Sequence, residues 1–343
     1  MRPTLGVMAG LLVAAGALAG HAQEVKGVAV VDAMTDYVAP GDLVRVDGGR
    51  RIHLHCTGRG SPTVVFTAGL GAWSATWAKV QPQVARTTRT CAWDRAGFGM
   101  SDGDAEAAQT VARTTDDLER ALAAGGEKGP YVLVGHSAGA HEVLSFTDRR
   151  GGDVAGIVLV DPVRPHDMAR ETAAGPKAAA ADRAYLAGEA RRLRDCAAGV
   201  EAGTVKTGAP ASPCFRYFDE IPARAQAVLA RRDADPRRLR TQASAYEEYE
   251  PNGERVVKDD RAYGDLPIIV LSAGDPSLWS PDARDEHPAL TADWQDSHRA
   301  LAGLSTKGER RVVAGAGHLV QLDKPDAVID AVGDIVRAAR AGR

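Results

Sequence analysis

Short runs of apolar and β-branched residues alternate with segments of helical periodicity along most of the chain. There are eight such runs, at residues 43–46, 52–56, 63–67, 90–93, 131–134, 156–160, 268–272 and 311–314. From the third run onward, most are separated by helical patterns, such as those at residues 109–124, 138–147 and 325–339. This alternation predicts an α/β fold with a mostly parallel sheet. Asp47-Gly48-Gly49-Arg50 between the first two runs is a hairpin signal, so we expect the sheet to begin antiparallel.

One long stretch interrupts the alternation. Residues 166–263 contain no clear strand pattern, and their helical patterns lie around residues 177–198, 223–232 and 236–249. An insertion of this length between two strands is too long for an ordinary connection and is more typical of a lid or cap. We therefore expect a core formed by residues 23–165 and 264–343, with a helical cap at 166–263.

The N-terminus has the pattern of a secretory signal peptide. Arg2 precedes an apolar run at residues 5–19, and Gly20-His21-Ala22 places small residues before a cleavage point at Gln23. The run is shorter than the ~20 residues that span a bilayer, although an uncleaved anchor helix is the alternative. We expect residues 1–22 to be removed, which predicts a secreted or periplasmic protein without a stable membrane anchor.

Composition narrows the range of partners and compartments. The 343 residues are 44% hydrophobic and 25% charged, which is typical of a soluble globular protein. The formal net charge is −3 and no polybasic run occurs, so nothing indicates nucleic acid as a partner. An even number of cysteines in an exported protein favours disulfides over buried thiols. Three connectivities are possible for the four, which are Cys56, Cys91, Cys196 and Cys214.

The strongest chemical motif follows the strand at residues 131–134. It reads Gly135-His136-Ser137-Ala138-Gly139, a G-x-S-x-G sequence between a predicted strand and a predicted helix. In a nucleophile elbow, small residues on either side of the serine let the strand and helix approach closely while the hydroxyl is lifted clear of the sheet. This context indicates Ser137 as a nucleophile, with Gly135 and Gly139 as the elbow glycines.

Two further segments contain the candidate oxyanion donors and the candidate general base. The Gly-rich turn Thr67-Ala68-Gly69-Leu70-Gly71 follows the third strand, and the backbone N–H groups of Leu70 and Ala138 are candidate oxyanion donors. An ordinary glycine turn is the alternative. His318 lies in the short loop Gly315-Ala316-Gly317-His318 after the last strand, where a general base is needed, although single histidines are often structural.

These motifs together resemble the α/β-hydrolase superfamily over about residues 43–340. Residues 93–101, Trp-Asp-Arg-Ala-Gly-Phe-Gly-Met-Ser, resemble its D-x-x-G-x-G-x-S segment, and residues 317–325 resemble its terminal G-H…P region. The resemblance implies an eight-stranded, mostly parallel sheet flanked by helices, with strand order 1-2-4-3-5-6-7-8 and a helical cap inserted after strand 6. That order places strands 52–56 and 90–93 side by side, which implies disulfides Cys56–Cys91 and Cys196–Cys214. One departure is Ala68-Gly69, where the family usually has His-Gly at the oxyanion turn.

Two aspartates compete for the role of the catalytic acid. Asp161 follows the strand at 156–160, and Asp275 follows the strand at 268–272. The superfamily more often takes its acid after the seventh strand, three residues beyond the glycine, but that position here is Ser277. Some lipase-like relatives place the acid after the sixth strand in a Leu-Val-Asp-Pro context, which matches Asp161-Pro162. The resemblance therefore favours Asp161 and leaves Asp275 open.

The resulting hypothesis is an exported serine hydrolase that cleaves a small carboxylic ester, or an amide, lactone or short peptide, through a Ser-His-Asp triad and an acyl-enzyme. The sequence indicates no cofactor, since nucleotide-binding glycine motifs are lacking, and no metal, since His53-x-His55 lacks a continuing ligand pattern. Trp73, Trp77, Trp279 and Trp294 are candidates to line a substrate pocket, with core packing as the alternative. Two other functions remain open: a non-hydrolytic binding module of the same fold, and an acyltransferase or cofactor-free perhydrolase using the same triad.

Overall fold

The structure is a computed structural model that describes residues 33–39, 42–206, 214–215, 221–275 and 281–342. The predicted signal peptide at 1–22 lies outside these residues, as do Ser277 and Trp279. None of the described helices is sufficiently long and apolar to cross a bilayer.

A single sheet of eight strands organises the described residues. The strands are β1 (Leu43–Arg45), β2 (Arg51–Thr57), β3 (Thr63–Thr67), β4 (Thr90–Trp93), β5 (Tyr131–His136), β6 (Val154–Val160), β7 (Ile268–Ala273) and β8 (Gly308–Val313). Their order is β1-β2-β4-β3-β5-β6-β7-β8. The β1–β2 and β2–β4 pairs are antiparallel and the other pairs are parallel. All eight predicted strands and the predicted strand order are therefore confirmed.

After β1, eleven α-helices surround or extend this sheet in the described part of the chain, and residues 33–36 before β1 are also helical. They are α1 (Gln81–Val84), α2 (Val111–Ala124), α3 (Gly139–Arg150), α4 (Asp167–Ala174), α5 (Pro176–Glu201), α6 (Ala223–Asp233), α7 (Pro236–Glu247), α8 (Tyr249–Arg255), α9 (His287–Ala302), α10 (Val320–Asp323) and α11 (Pro325–Ala341). The predicted helices at 109–124, 138–147 and 325–339 correspond to α2, α3 and α11.

Both faces of the central strands are buried, which explains why these strands are apolar throughout rather than alternating with polar residues. Val132 and Val134 of β5 pack in one core with α11, whereas Leu133 packs in the other core with α2 and α3. This double coverage rigidly fixes the carboxyl ends of β5 and β6. Any side chain placed there is therefore held in a defined position.

The segment between β6 and β7 contains the helices α4 to α8, and its described residues include no strand. The predicted helices at 177–198, 223–232 and 236–249 correspond to α5, α6 and α7, whereas α4 and α8 were not predicted. Helix α8 includes Pro251 and Gly253, residues that ordinarily oppose a helix. Tertiary contacts stabilise it, because the Asn252 side chain accepts from the Val111 N–H (2.8 Å) and donates to the Gln109 carbonyl (3.1 Å).

Two disulfides join the cysteines in the expected pairs. Cys56 and Cys91 are direct partners across the antiparallel β2–β4 pair, and the bond links them there. Cys196 in α5 is bonded to Cys214 within the inserted segment. The described residues contain no free cysteine.

Candidate active site

Ser137 occupies a sharp turn between β5 and α3. Its φ of +51° lies in the left-handed region that non-glycine residues rarely adopt. The turn is tight on both sides: a Cβ on Gly135 would lie 2.8 Å from the Gly139 carbonyl oxygen, and a Cβ on Gly139 would lie 2.6 Å from that of Thr67. Both glycines are therefore required for this approach, and the half-buried Ser137 side chain lies at the sheet's carboxyl edge.

His318 lies in the loop between β8 and α10, and its ring pairs with a buried carboxylate. The Nδ1 atom is 2.7 Å from Oδ2 of Asp161, which follows β6 and is fully buried. Asp161 has a φ of +41°, a second strained position at this edge of the sheet. An N–H at Nδ1 of His318 donates to the carboxylate, which leaves Nε2 as a free acceptor.

The second oxygen of Asp161 is also satisfied. Oδ1 accepts from the Ala273 N–H (2.9 Å) and from the Trp294 indole N–H (3.1 Å). Burial acts to raise the pKa of Asp161, but the hydrogen bond from His318, the charge of that ring and the Ala273 N–H hold the pKa below its usual value. Asp161 is therefore a carboxylate that accepts hydrogen bonds at both oxygens.

Asp275, the other candidate acid, has a different environment. It lies just beyond β7 and is exposed to solvent, and its backbone N–H donates to the Ala316 carbonyl at 3.0 Å. Of the two candidates, Asp161 is the one whose side chain bonds to His318.

The turn after β3 lies directly against the elbow. A Cβ on Gly69 would be 3.1 Å from Cβ of Ser137 and 3.0 Å from Nδ1 of His136, so glycine is the residue that fits there. No described residue accepts a hydrogen bond from the backbone N–H of Leu70 or of Ala138. Two candidate oxyanion donors thus lie beside Ser137 without a partner in the described part of the chain, although Ala68 replaces the usual histidine.

His136 links the elbow to the histidine loop. Its Nε2 lies 2.9 Å from the His318 carbonyl oxygen, and the two rings are 4.7 Å apart between centroids. Burial, with a further contribution from the charge of His318, lowers the pKa of His136 to about 3. The ring is therefore neutral, and its Nε2–H donates to the carbonyl.

The supporting residues of the site were only partly predictable from sequence. His136 lies inside the G-x-S-x-G motif, so its proximity to Ser137 could be predicted from the sequence. Its contact with the histidine loop could not. Trp294 was a candidate pocket residue, and no pattern indicated that its indole N–H would bind the acid. Trp77 is fully buried against Phe66 and is a core residue.

Apolar side chains from the insertion and from the core meet beside the elbow. Ala138, Val163, Leu290 and Trp294 form one buried cluster, against which Leu70 and Tyr249 pack. Leu290 and Trp294 belong to α9, which the sequence did not predict.

The two histidines of β2 pair with aspartates away from this site. His53 is buried with its Nδ1 2.8 Å from Oδ2 of Asp94, and His55 has its Nδ1 2.5 Å from Oδ2 of Asp42. Among the described residues, the group with metal-like spacing is Cys56, Cys91 and Glu127. The two cysteines of that group are joined in a disulfide and offer no thiolate.

Comparison with known proteins agrees with this architecture. The sequence profile of the alpha/beta hydrolase family matches residues 64–331. An uncharacterized protein of Bacillus subtilis, YqjL, is 24% identical over 294 residues, which cover 86% of this chain and 91% of YqjL. A thermophilic esterase from Thermogutta terrifontis superposes with a TM-score of 0.58 at 20% identity, covering 86% of this chain and 97% of the esterase. Est816, an enzyme that degrades N-acyl homoserine lactones, superposes with a TM-score of 0.56 at 20% identity, covering 85% of this chain and 99% of Est816.

The fold, the elbow and the paired histidine define an α/β-hydrolase. The chain belongs to the alpha/beta hydrolase family, and the two solved structures share its fold. Because solved structures at this level of identity establish the fold alone, the reaction has to be argued from the site.

Proposed function

We propose that this protein is an exported serine hydrolase that cleaves a small carboxylic ester, with Ser137 as nucleophile, His318 as general base and Asp161 as the acid of the triad. The observation that carries the proposal is the 2.7 Å contact between His318 Nδ1 and the buried Asp161. The His318 carbonyl is bonded to His136, the residue before the serine of the strained elbow. Lactones and amides share the same acyl chemistry and are the alternatives. A lactone releases an alcohol as an ester does, whereas an amide demands more of the site because its amine is a poorer leaving group.

The first half of the reaction is acylation. The Ser137 hydroxyl attacks the acyl carbon while Nε2 of His318 takes its proton, and the new bond gives a tetrahedral intermediate with a negative oxygen. Asp161 holds the ring in the tautomer whose Nε2 is unprotonated and stabilises the imidazolium that forms. His318 then returns the proton to the leaving alcohol, and the acyl group stays on Ser137.

The developing negative charge is stabilised by the N–H groups of Leu70 and Ala138. Neither has a partner among the described residues, so both are available when the charge forms. Removing one such donor typically costs about 10²–10³ in kcat. In the second half of the reaction, water activated by the same histidine cleaves the acyl-enzyme and releases the acid.

The apolar cluster beside the elbow suggests the character of the acyl group. Val163, Leu290, Trp294 and Tyr249 surround Ala138 with hydrocarbon surface. Each buried methylene of a substrate contributes about 0.8 kcal/mol of binding in such surroundings. We therefore assign the acyl group to an apolar class, with the inserted helices acting as a cap that limits its size.

Export is supported by two separate features. The N-terminal sequence has the order of charged, apolar and small residues found in cleaved signal peptides. The two disulfides are typical of proteins that fold in an oxidising compartment. N-terminal sequencing of the mature protein should begin at Gln23, and a mature protein that retains Met1 contradicts the export proposal.

The nucleophile is tested by covalent labelling. A fluorophosphonate should modify Ser137 stoichiometrically, and Ser137→Ala should lose both the label and at least ~10³-fold in turnover of a p-nitrophenyl ester. Ser305→Ala is the matched control, since this serine lies before β8 and its hydroxyl is 3.2 Å from the Gly264 carbonyl; its labelling and turnover should equal those of the wild type. Wild-type protein that binds esters without labelling would instead indicate a binding module. Products that shift entirely to added alcohol or peroxide would indicate acyl transfer or perhydrolysis.

A further inference from the structure

A buried arginine contacts the oxyanion turn from the side of the protein core. Arg95 follows β4, and only 9% of its surface is exposed. Its Nη1 donates to the carbonyl oxygen of Gly69 at 3.0 Å. The same oxygen also accepts from the Ala72 N–H at 3.3 Å, so two donors hold it.

The arginine is itself fixed by a carboxylate on the elbow helix. Nε and Nη2 of Arg95 donate to the two carboxylate oxygens of Glu142, at 2.6 and 2.8 Å. Thr114 of α2 donates a further hydrogen bond to Glu142 at 2.9 Å. Burial acts to raise the pKa of Glu142, but the charge and hydrogen bonds of Arg95 hold that pKa below its usual value, so Glu142 is a carboxylate.

The geometry of the peptide bond connects this pair to the proposed reaction. The Gly69 carbonyl and the Leu70 N–H belong to one planar trans peptide, so they point in opposite directions. Holding the carbonyl oxygen on the core side therefore directs the N–H to the other side. Gly69 itself lies against Ser137, with its ideal Cβ position 3.1 Å from the serine Cβ.

We propose that Arg95 is a positioning residue for the oxyanion hole: it acts through the Gly69–Leu70 peptide to aim and polarise the Leu70 N–H. This inference rests on the proposed function, since an aimed donor matters only if a negative oxygen forms there. A hydrogen bond to the carbonyl of an amide also strengthens donation by its N–H.

The free energy lost when the Arg95–Glu142 ion pair is buried supports a role of this pair beyond stability. A buried ion pair loses its hydration, and an apolar replacement of similar volume is often as stable or more so. Arg95 joins three segments, namely the loop after β4, the turn after β3 and the elbow helix α3. It thereby holds the oxyanion turn in register with the helix that follows Ser137.

The test compares an oxygen ester with the matching thionoester. Hydrogen bonds to a developing sulfur anion are weaker than those to oxygen, so a well-aimed donor accelerates the oxygen ester preferentially. In Arg95→Lys the ammonium still neutralises Glu142 but lacks the planar guanidinium that reaches both Glu142 and Gly69. We expect kcat for the oxygen ester to fall about tenfold with KM within about twofold, while the thionoester changes by less than about threefold.

The matched control is Arg50→Lys. Arg50 makes a similar two-point pair with the buried Asp117, at 3.0 and 2.7 Å, but it lies beside β2 away from the elbow. Rates are normalised to sites titrated with a fluorophosphonate, so a partly unfolded preparation lowers both substrates equally and leaves their ratio unchanged. We expect the Arg50→Lys ratio to equal that of the wild type.

Each outcome has a distinct meaning. A wild-type ratio in Arg95→Lys, with or without lower overall activity, overturns the positioning role. If Arg95→Lys does not fold, the double variant Arg95→Met/Glu142→Met removes both charges, and its ratio should also fall. Absence of ester turnover and of labelling in the wild type contradicts the proposed function instead, which separates the two failures.

Discussion

Replacement of Asp161 by asparagine gives the sharpest test of the triad. Oδ1 of Asp161 accepts from two donors, the Ala273 N–H and the Trp294 indole N–H. Asparagine must place its carbonyl oxygen at this position, because its NH₂ group would oppose both donors and leave them unsatisfied. That reversed orientation loses two hydrogen bonds, at about 1–3 kcal/mol for each donor left buried.

This orientation of the asparagine changes the tautomer of His318. With the oxygen of the asparagine committed, its NH₂ faces Nδ1 of His318, where Oδ2 of Asp161 now accepts at 2.7 Å. The ring must then accept at Nδ1 and carry its proton on Nε2, so it cannot take the proton of Ser137. A wrong tautomer of this kind costs about 10⁴ in kcat in a serine protease triad. This corresponds to about 5 kcal/mol of transition-state stabilisation.

The assay is kcat for a p-nitrophenyl ester, with burst titration to count active sites. Asp161→Asn should fold normally, retain substrate binding and lose about 10³–10⁴ in kcat. Asp275→Asn is the control, because Asp275 is exposed, and it should stay within about twofold of the wild type. A large loss in Asp275→Asn together with an active Asp161→Asn would falsify the assignment of the acid.

Three further predictions follow from other contacts. Gly139→Ala should abolish soluble folding or activity, because the added Cβ would lie 2.6 Å from the Thr67 carbonyl oxygen; normal activity in a purified variant refutes the packing described. Trp294→Phe keeps an apolar ring but removes one hydrogen-bond donor to Asp161, so kcat should fall about 10-fold or more. Circular dichroism should show intact folding. An unchanged kcat excludes a role for that hydrogen bond. The free energy of unfolding should fall as the pH drops from about 6.5 to 4, because burial lowers the pKa of three histidines in the folded protein and the unfolded chain therefore binds protons first. At pH 5 each of these histidines lowers the free energy of unfolding by about 2 kcal/mol. Equal thermal midpoints at pH 7.5 and pH 5 contradict this prediction. Those histidines, with pKa values of about 3, 4 and 4, are His136, His141 and His298.

The strands were predictable because each is a short apolar run bounded by turn residues and buried on both faces. Helix α8 was not, because its stability comes from the Asn252 side chain bonding to residues 109 and 111 rather than from its own sequence. Local propensity cannot register a contact made across about 140 positions. Helices α4 and α9 were also not predicted.

The residues of the candidate site also differ in how far the sequence predicted them. Ser137 and His318 were accessible because glycine motifs beside predicted strands carry local information. The resemblance favoured Asp161 over Asp275 but left both open, because both follow neighbouring strands and their side-chain directions depend on the loops around them. The roles of Trp294 and Arg95 depend wholly on tertiary contacts, and no spacing in the sequence encodes them.

The supports of Asp161 come from late in the chain. Ala273, Trp294 and His318 all follow the inserted helices, whereas Ser137 and Asp161 precede them. In the proposed mechanism, a polypeptide that ends before β7 would have the nucleophile and the carboxylate but neither the base nor the donors that hold the acid. That mechanism therefore predicts no hydrolysis until β7, α9 and the histidine loop have docked against the rest of the sheet.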